Sequence, residues 1–271
     1  MSETELKRII ELENESVFII REAYRTLKNP AMLWSMGKDS TVMLWLTWKA
    51  FFGRVPFPVV HIDTSFKIPE MIRFRDQKAK EWGLNLIIGS NTNALEGGMN
   101  PQKGKLECCT ELKTNALKRV LSQNGFNSIF AAIRSDEEGS RGKERIFSPR
   151  GPASEWNYQE QPPEFWNEYQ TEFPAGTEVR VHPILRWTEL DIWLYIRLKK
   201  IPTLDLYFST NGRRYRSVGC APCTGSVVSM ASSIDEIVEE LRSTRVGERA
   251  GRAQDQADRY AMQKLRAKGY M

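Results

Sequence analysis

Seven residues, WSMGKDS (34–40), hold two hydroxyls, a glycine, an ammonium and a carboxylate. Between a strand and a helix, this is a phosphate-cradling set: N–H groups at the helix start point at an anion. Gly37 lets the backbone approach closely. Lys38 adds a full charge, and Ser35 and Ser40 add hydroxyl donors. The common G-x-x-x-x-G-K-[ST] spacing is not met. Met32 stands where its first glycine belongs, and Asp39 stands where Ser or Thr belongs. A carboxylate inside an anion site suits a cation, so Asp39 reads as a Mg²⁺ ligand shared with phosphate oxygens. The plain alternative is an ordinary turn capping a helix, but strand, loop and helix all fall where the site needs them.

RSDEEGSRGKER (134–145) interleaves acid and base after a strand end. Arg134, Arg141 and Arg145 could clamp phosphate or sulfate in bidentate fashion, with Asp136, Glu137 or Glu138 orienting them or holding metal. A salt-bridged surface turn is the plain alternative. The four cysteines are Cys108-Cys109 and the C-x-x-C pair Cys220 and Cys223. Four thiolates suit an iron–sulfur or zinc centre. Lys103, Lys105 and Lys113 and a helix start would favour the thiolate form of the first pair. Buried, unligated thiols are the plain alternative. His61 ends a strand near the expected nucleotide, and His182 reads as structural. The eight tryptophans read as core.

These residues need a scaffold. Helical periodicity over 3–27, 41–52, 69–82 and 107–123 alternates with apolar runs at 31–34, 58–62, 84–88 and 128–133. That alternation predicts an α/β fold with a doubly wound parallel sheet. Ligands of such sheets sit at the carboxyl ends of the strands, so Ser35, Asp63 and Arg134 should converge. Residues 135–177 show no period. A strand follows at 179–185, then a helix capped by Thr188 running to Lys199. Ser233-x-x-Glu236 opens another to Leu241. The expected division is a core of 1–204 and a C-terminal extension of 205–271, carrying the C-x-x-C and a basic tail and packed on the core.

The chain has 271 residues, 41% of them hydrophobic, and a formal charge of +5. The charge suits anionic substrates and permits nucleic acid. No run of 18 apolar residues and no apolar leader stand in the sequence, so no membrane span and a cytoplasmic location are expected.

The loop resembles the SGGKDS motif of the PP-loop ATP pyrophosphatases (adenine nucleotide alpha-hydrolase-like), with Met36 replacing one glycine. That implies attack on the α-phosphorus of ATP with pyrophosphate leaving. NPAMLWSMGKDSTVML, PFPVVHIDTSFKIPEMIRFRD, RSDEEGSRGKERIFS and the tail GERAGRAQDQ…LRAKGYM are similar to the sulfate adenylyltransferase small subunit, whose fold phosphoadenylylsulfate reductases share. The resemblance implies nucleotide contacts from His61, Asp63 and Thr64. It implies a phosphate or oxyanion wall of Arg134, Asp136, Glu137, Arg141 and Arg145, with Lys38, Asp39, Arg134 and Arg141 catalytic. The Cys-Cys…Cys-x-x-Cys pattern is similar to that of adenylylsulfate reductases, which implies a [4Fe–4S] cluster. No cysteine follows Cys223, so a thiol-based reduction is rejected. ATP chemistry beside a cluster resembles sulfur-inserting enzymes: tRNA thiolases and the ATP pyrophosphatases of DNA phosphorothioation. The expectation is adenylylation of a DNA phosphate, with a cysteine desulfurase or other sulfur donor as partner. The alternatives are sulfate adenylylation with a GTPase large subunit, or a redox and nucleotide sensor. A homo-oligomer is compatible with each.

Overall fold

The computed structural model describes residues 1–166, 168–252 and 261–270. Part of the tail motif quoted above, 253–260, therefore lies outside the described residues. The chain opens with α1 (Glu3–Thr26), started by a Ser2/Glu5 capping box. Then β1 (Pro30–Leu33), α2 (Lys38–Ala50), β2 (Val59–Ile62), α3 (Pro69–Glu81) and β3 (Leu86–Gly89) alternate. After a short α4 (Thr92–Glu96), a longer helical segment is built from α5 (Lys105–Cys109), one wide π-helical stretch (Thr110–Asn115) and α6 (Ala116–Asn124). β4 (Ser128–Phe130), β5 (Phe147–Arg150), β6 (Glu178–Val181) and α7 (Glu189–Lys199) complete the core. Beyond them lie a small hairpin of β7 (Arg213–Arg214) and β8 (Val227–Val228), α8 (Ile234–Ser243) and α9 (Ala261–Ala267).

The sheet order is β3-β2-β1-β4-β6-β5. Pairing is parallel throughout except at β5, which runs antiparallel to β6 with Phe147 opposite Val181. The predicted parallel sheet thus holds with one antiparallel edge strand, which came from the stretch read as aperiodic. Strand alternation sends Met32, Val59 and Phe130 into one core with α1, α2 and α7. Ala31, Leu33, Val60 and Ile129 go to the other, under α6. The helices therefore cover both faces, as parallel strands require. β2 and β3 lie on one side of β1 and β4 on the other, so the chain reverses direction between β1 and β4. That reversal opens a crevice at the strand ends. Trp34, Trp187 and Trp193 are fully buried as expected, while Trp48 and Trp166 are exposed. Among the described residues, no helix is long and apolar enough to cross a membrane.

Candidate active site

The crevice is bounded first by the turn after β1. Helix α2 begins at Lys38, three residues before the predicted start, so Lys38 and Asp39 stand on its first turn. Gly37 is the N-cap residue in extended conformation. Met36 has φ 61°, a left-handed conformation that glycine adopts freely and methionine does not. Its side chain is buried in the core, which offsets that strain. Ser35 and Ser40 tie the turn together: their hydroxyls lie 3.1 Å apart, and Ser40 Oγ donates to the Gly37 carbonyl at 3.0 Å. The Lys38 amide donates to the Tyr207 hydroxyl at 2.8 Å. Tyr207, from the C-terminal part of the chain, was not evident in the sequence as a site residue.

The ionic groups form one network across the crevice. Lys38 Nζ donates to Asp39 at 3.1 Å and also bonds the Glu248 carboxylate. Arg134, fully buried after β4, holds Asp39 and Glu248 with its two terminal nitrogens and Asp136 Oδ1 with Nε at 3.0 Å. The other Asp136 oxygen accepts from the Glu189 amide at 2.9 Å, at the start of α7. Glu137 pairs with Arg141 and, at 3.2 Å, with Arg249. Burial alone would raise the Glu248 pKa, but Arg134 and Lys38 hold it well below the usual carboxylate range. Glu189 goes the other way: burial and the negative charge of Glu248 push it up, against Lys38 and Arg216. Ser35, Asp39, Ser40, His61, Glu137 and Arg141 line one cavity. Lys38, Gly37 and Arg134 stand behind that wall, Arg134 joined to it through Asp39.

Both Asp39 oxygens face cations of the protein. Among the described residues, no three His, Cys, Asp or Glu side chains are arranged to hold a metal ion. Magnesium is ordinarily carried by phosphates and one or two carboxylates rather than by a protein cage, and Asp39 on the cavity wall suits that use. His61 is neutral. Its Nδ1 lies 3.1 Å from the Trp34 carbonyl, so that nitrogen carries the proton and Nε2 is an acceptor. Burial, reinforced by Lys67, drives its pKa down to about 3.

Several expected site residues are not among those lining this cavity. Arg145 Nε donates to the Pro162 carbonyl at 3.1 Å, in the long loop. Asp63 accepts from the Ser65 amide at 2.8 Å and faces Arg75 at 3.5 Å. The Thr64 hydroxyl meets Cys220 Sγ at 3.1 Å. The four cysteines are buried free thiols gathered in one neighbourhood. Burial first, then the other three sulfurs, lift Cys108 to about 11. At Cys220 burial is outweighed by Lys113 and Lys67, and the thiol is shifted down. The neighbourhood was predicted, but a ligand cage is not formed by these side chains as they stand. An approach from helix α5 and the distant turn at Cys220 and Cys223 satisfies the sequence pattern without fixing sulfur positions.

The segment carrying Glu248 is held by backbone contact. The Gly225 amide donates to the Gly251 carbonyl at 2.8 Å, and a Cβ on Gly225 would lie 2.5 Å from that oxygen. Gly225→Ala is expected to cost about 1–3 kcal/mol and to lower nucleotide affinity by displacing Glu248. Thermal unfolding and nucleotide titration of the variant check both.

Residues 29–226 match the phosphoadenosine phosphosulfate reductase domain family. Sulfate adenylyltransferase subunit 2 of Saccharophagus degradans is 40% identical, over all of this chain and 99% of the relative. Its counterpart in Bacteroides thetaiotaomicron is 42% identical over the full length of both. Among solved structures, phosphoadenylyl-sulfate reductase from Candida auris superposes with TM-score 0.55 at 15% identity, covering 83% of this chain and 98% of that one. Yeast FAD synthetase gives TM-score 0.58 at 17% identity, covering 93% and 92%. These two show the fold, while the end-to-end sequence similarity shows kinship and the enzymatic class, nucleotidyl transfer. The chain therefore belongs to the phosphoadenosine phosphosulfate reductase domain family, within the PP-loop ATP pyrophosphatases.

Proposed function

We propose that this protein transfers the adenylyl group of ATP to inorganic sulfate, acting as the small subunit of a sulfate adenylyltransferase. The observation that carries the reading is the Lys38–Asp39–Arg134 network at the start of α2, in a chain similar over its whole length to sulfate adenylyltransferase subunit 2. A sulfate oxygen forms a bond to the α-phosphorus. The bond to the bridging oxygen breaks, and pyrophosphate leaves with the electron pair. No protein nucleophile takes part; the catalytic contributions are orientation and stabilisation of charge. The α2 N-terminus, Lys38 and Arg134 would favour the departing diphosphate, and Asp39 would hold Mg²⁺, which would supply further positive charge there. The naming of the relatives as subunit 2 supports a partner subunit, for which the proposed identity is the GTPase large subunit.

The test is pyrophosphate release from ATP and Mg²⁺, with the large subunit present, as sulfate or duplex DNA is added. Dependence on sulfate is expected; dependence on DNA alone would overturn the reading in favour of sulfur insertion. One observation favours that second reading: sulfate adenylylation has no use for four gathered thiols. It would require the thiols to close around a [4Fe–4S] cluster or zinc, with a cysteine desulfurase supplying sulfur. Iron, zinc and acid-labile sulfide analysis of anaerobically purified protein decides it, and a metal-free active enzyme would remove it.

A further inference from the structure

Most buried cations around the crevice already have a carboxylate. Lys38 and Arg134 share Glu248, Arg141 has Glu137, and Arg216 has Glu189. Two cations on the cavity wall do not. Lys67, half-buried beyond β2, makes no hydrogen bond and no ion pair among the described residues. Lys113 is buried, and the one hydrogen bond of its ammonium among the described residues goes to the Tyr270 hydroxyl, 3.2 Å away. Its ammonium also lies 5.6 Å from the Tyr270 ring centre.

Lys67 is the costlier of the two to keep charged, because at Lys113 burial is outweighed by the Tyr270, Cys220 and Cys109 groups, which raise the pKa. An ammonium taken from water without a counter-charge loses several kcal/mol of hydration. Burial and the repulsion of Lys113 bring the Lys67 pKa down to about 8, with Asp63 and Cys220 acting in opposition and Arg252 adding to the repulsion. Of the acids that act on Lys67, the Cys220 thiol weighs more than Asp63. The Cys220 segment pairs by backbone with Lys67, and the Ala221 amide donates to the Phe66 carbonyl at 2.7 Å. Lys113 also sits inside the π-helical stretch, an irregularity that recurs at functional sites. Both lysines line the same cavity as Ser35, Asp39 and Ser40, yet they come from other elements than the diphosphate-side cations.

We propose that Lys67 and Lys113 form the acceptor subsite, holding a tetrahedral oxyanion of charge near −2 beside the α-phosphorus. Two ammonium groups match that charge and offset the repulsion between acceptor and triphosphate. The inference rests on the adenylyl-transfer reading and names where its acceptor binds. Sulfate is the occupant assigned; a DNA phosphodiester, with one negative charge, matches the two ammonium groups less well.

The experiment measures sulfate-dependent pyrophosphate release by the holoenzyme and its Lys67→Met, Lys67→Arg and Lys113→Met variants. Loss of one charge-assisted contact should raise KM for sulfate by about 10- to 100-fold. KM for ATP should stay within about threefold, and Lys67→Arg should recover part of the loss. An unchanged sulfate KM, or an ATP KM rising in parallel, would overturn the assignment. Lys67 is half-buried, so its variants address the subsite even where Lys113→Met unfolds. Calorimetric titration with sulfate, and separately with a short DNA duplex, onto protein saturated with a non-hydrolysable ATP analogue separates the two ideas. If wild-type protein releases no sulfate-dependent pyrophosphate, the functional reading fails. The subsite stands if either anion binds in a Lys67-dependent way, and it falls if neither does.

Discussion

Lys38→Met lowers acceptor-dependent pyrophosphate release by about 10²- to 10³-fold, the range seen when one preorganised donor to developing charge is removed. The ammonium is 1% exposed and lies at the start of α2, where helix dipole and fixed charge act on the same leaving group. Because its contribution is greatest as the diphosphate separates, turnover falls more than ATP affinity does. The loss is not purely catalytic: removing Lys38 leaves the buried Glu248 with Arg134 as its remaining cation in this network. The variant should therefore unfold at lower temperature while keeping its circular dichroism. Steady-state kinetics with a coupled pyrophosphate assay measure the first effect, and a rate within threefold of wild type would refute the assignment of the loop.

Glu248→Ala is expected to have the largest effect on stability. It removes the counter-ion shared by two buried cations, leaving Lys38 with Asp39 and Arg134 with Asp39 and Asp136, and removing one member of a buried ion pair costs about 3–5 kcal/mol. Glu248→Gln keeps the volume and some hydrogen bonding and should recover part of the loss. Urea unfolding of the three proteins near neutral pH tests this; a loss below about 1 kcal/mol would mean that the network behaves as a solvated surface cluster. The pH dependence has a definite sign. The folded-state pKa of Glu248 is depressed from 4.5, so its contribution is fully present above about pH 4.5 and is lost as pH falls below it. Acid unfolding of Glu248→Ala should accordingly be shallower than that of the wild type.

Local chemistry explains why some of this was legible in residue order alone. The alternation of strands and helices, the Thr188/Asp191 and Ser233/Glu236 capping boxes and the turn that leads from β1 into α2 are written in neighbouring residues. Their physics needs no distant partner. β5 escaped because Phe147–Arg150 contains a proline and pairs at an edge, where alternation is weak. The π-helical stretch at Thr110–Asn115 escaped because nothing in TELKTN marks a wider turn.

Sequence by itself determined the fold class, the strand–turn–helix junction at WSMGKDS and the concentration of Arg134, Glu137 and Arg141 near the end of β4, since each depends on periodicity or on spacing within a few residues. Tertiary structure decided which charges meet. Glu248 lies 210 residues from Lys38, inside a run that reads as a basic tail, yet it is the shared counter-ion of Lys38 and Arg134. The same holds for Tyr207 on the Lys38 amide, for Arg145 turning to Pro162, and for the two lysines left without a carboxylate. Electrostatic partnership depends on distance and burial, and both are set by the packing of remote segments, which the order of residues does not express.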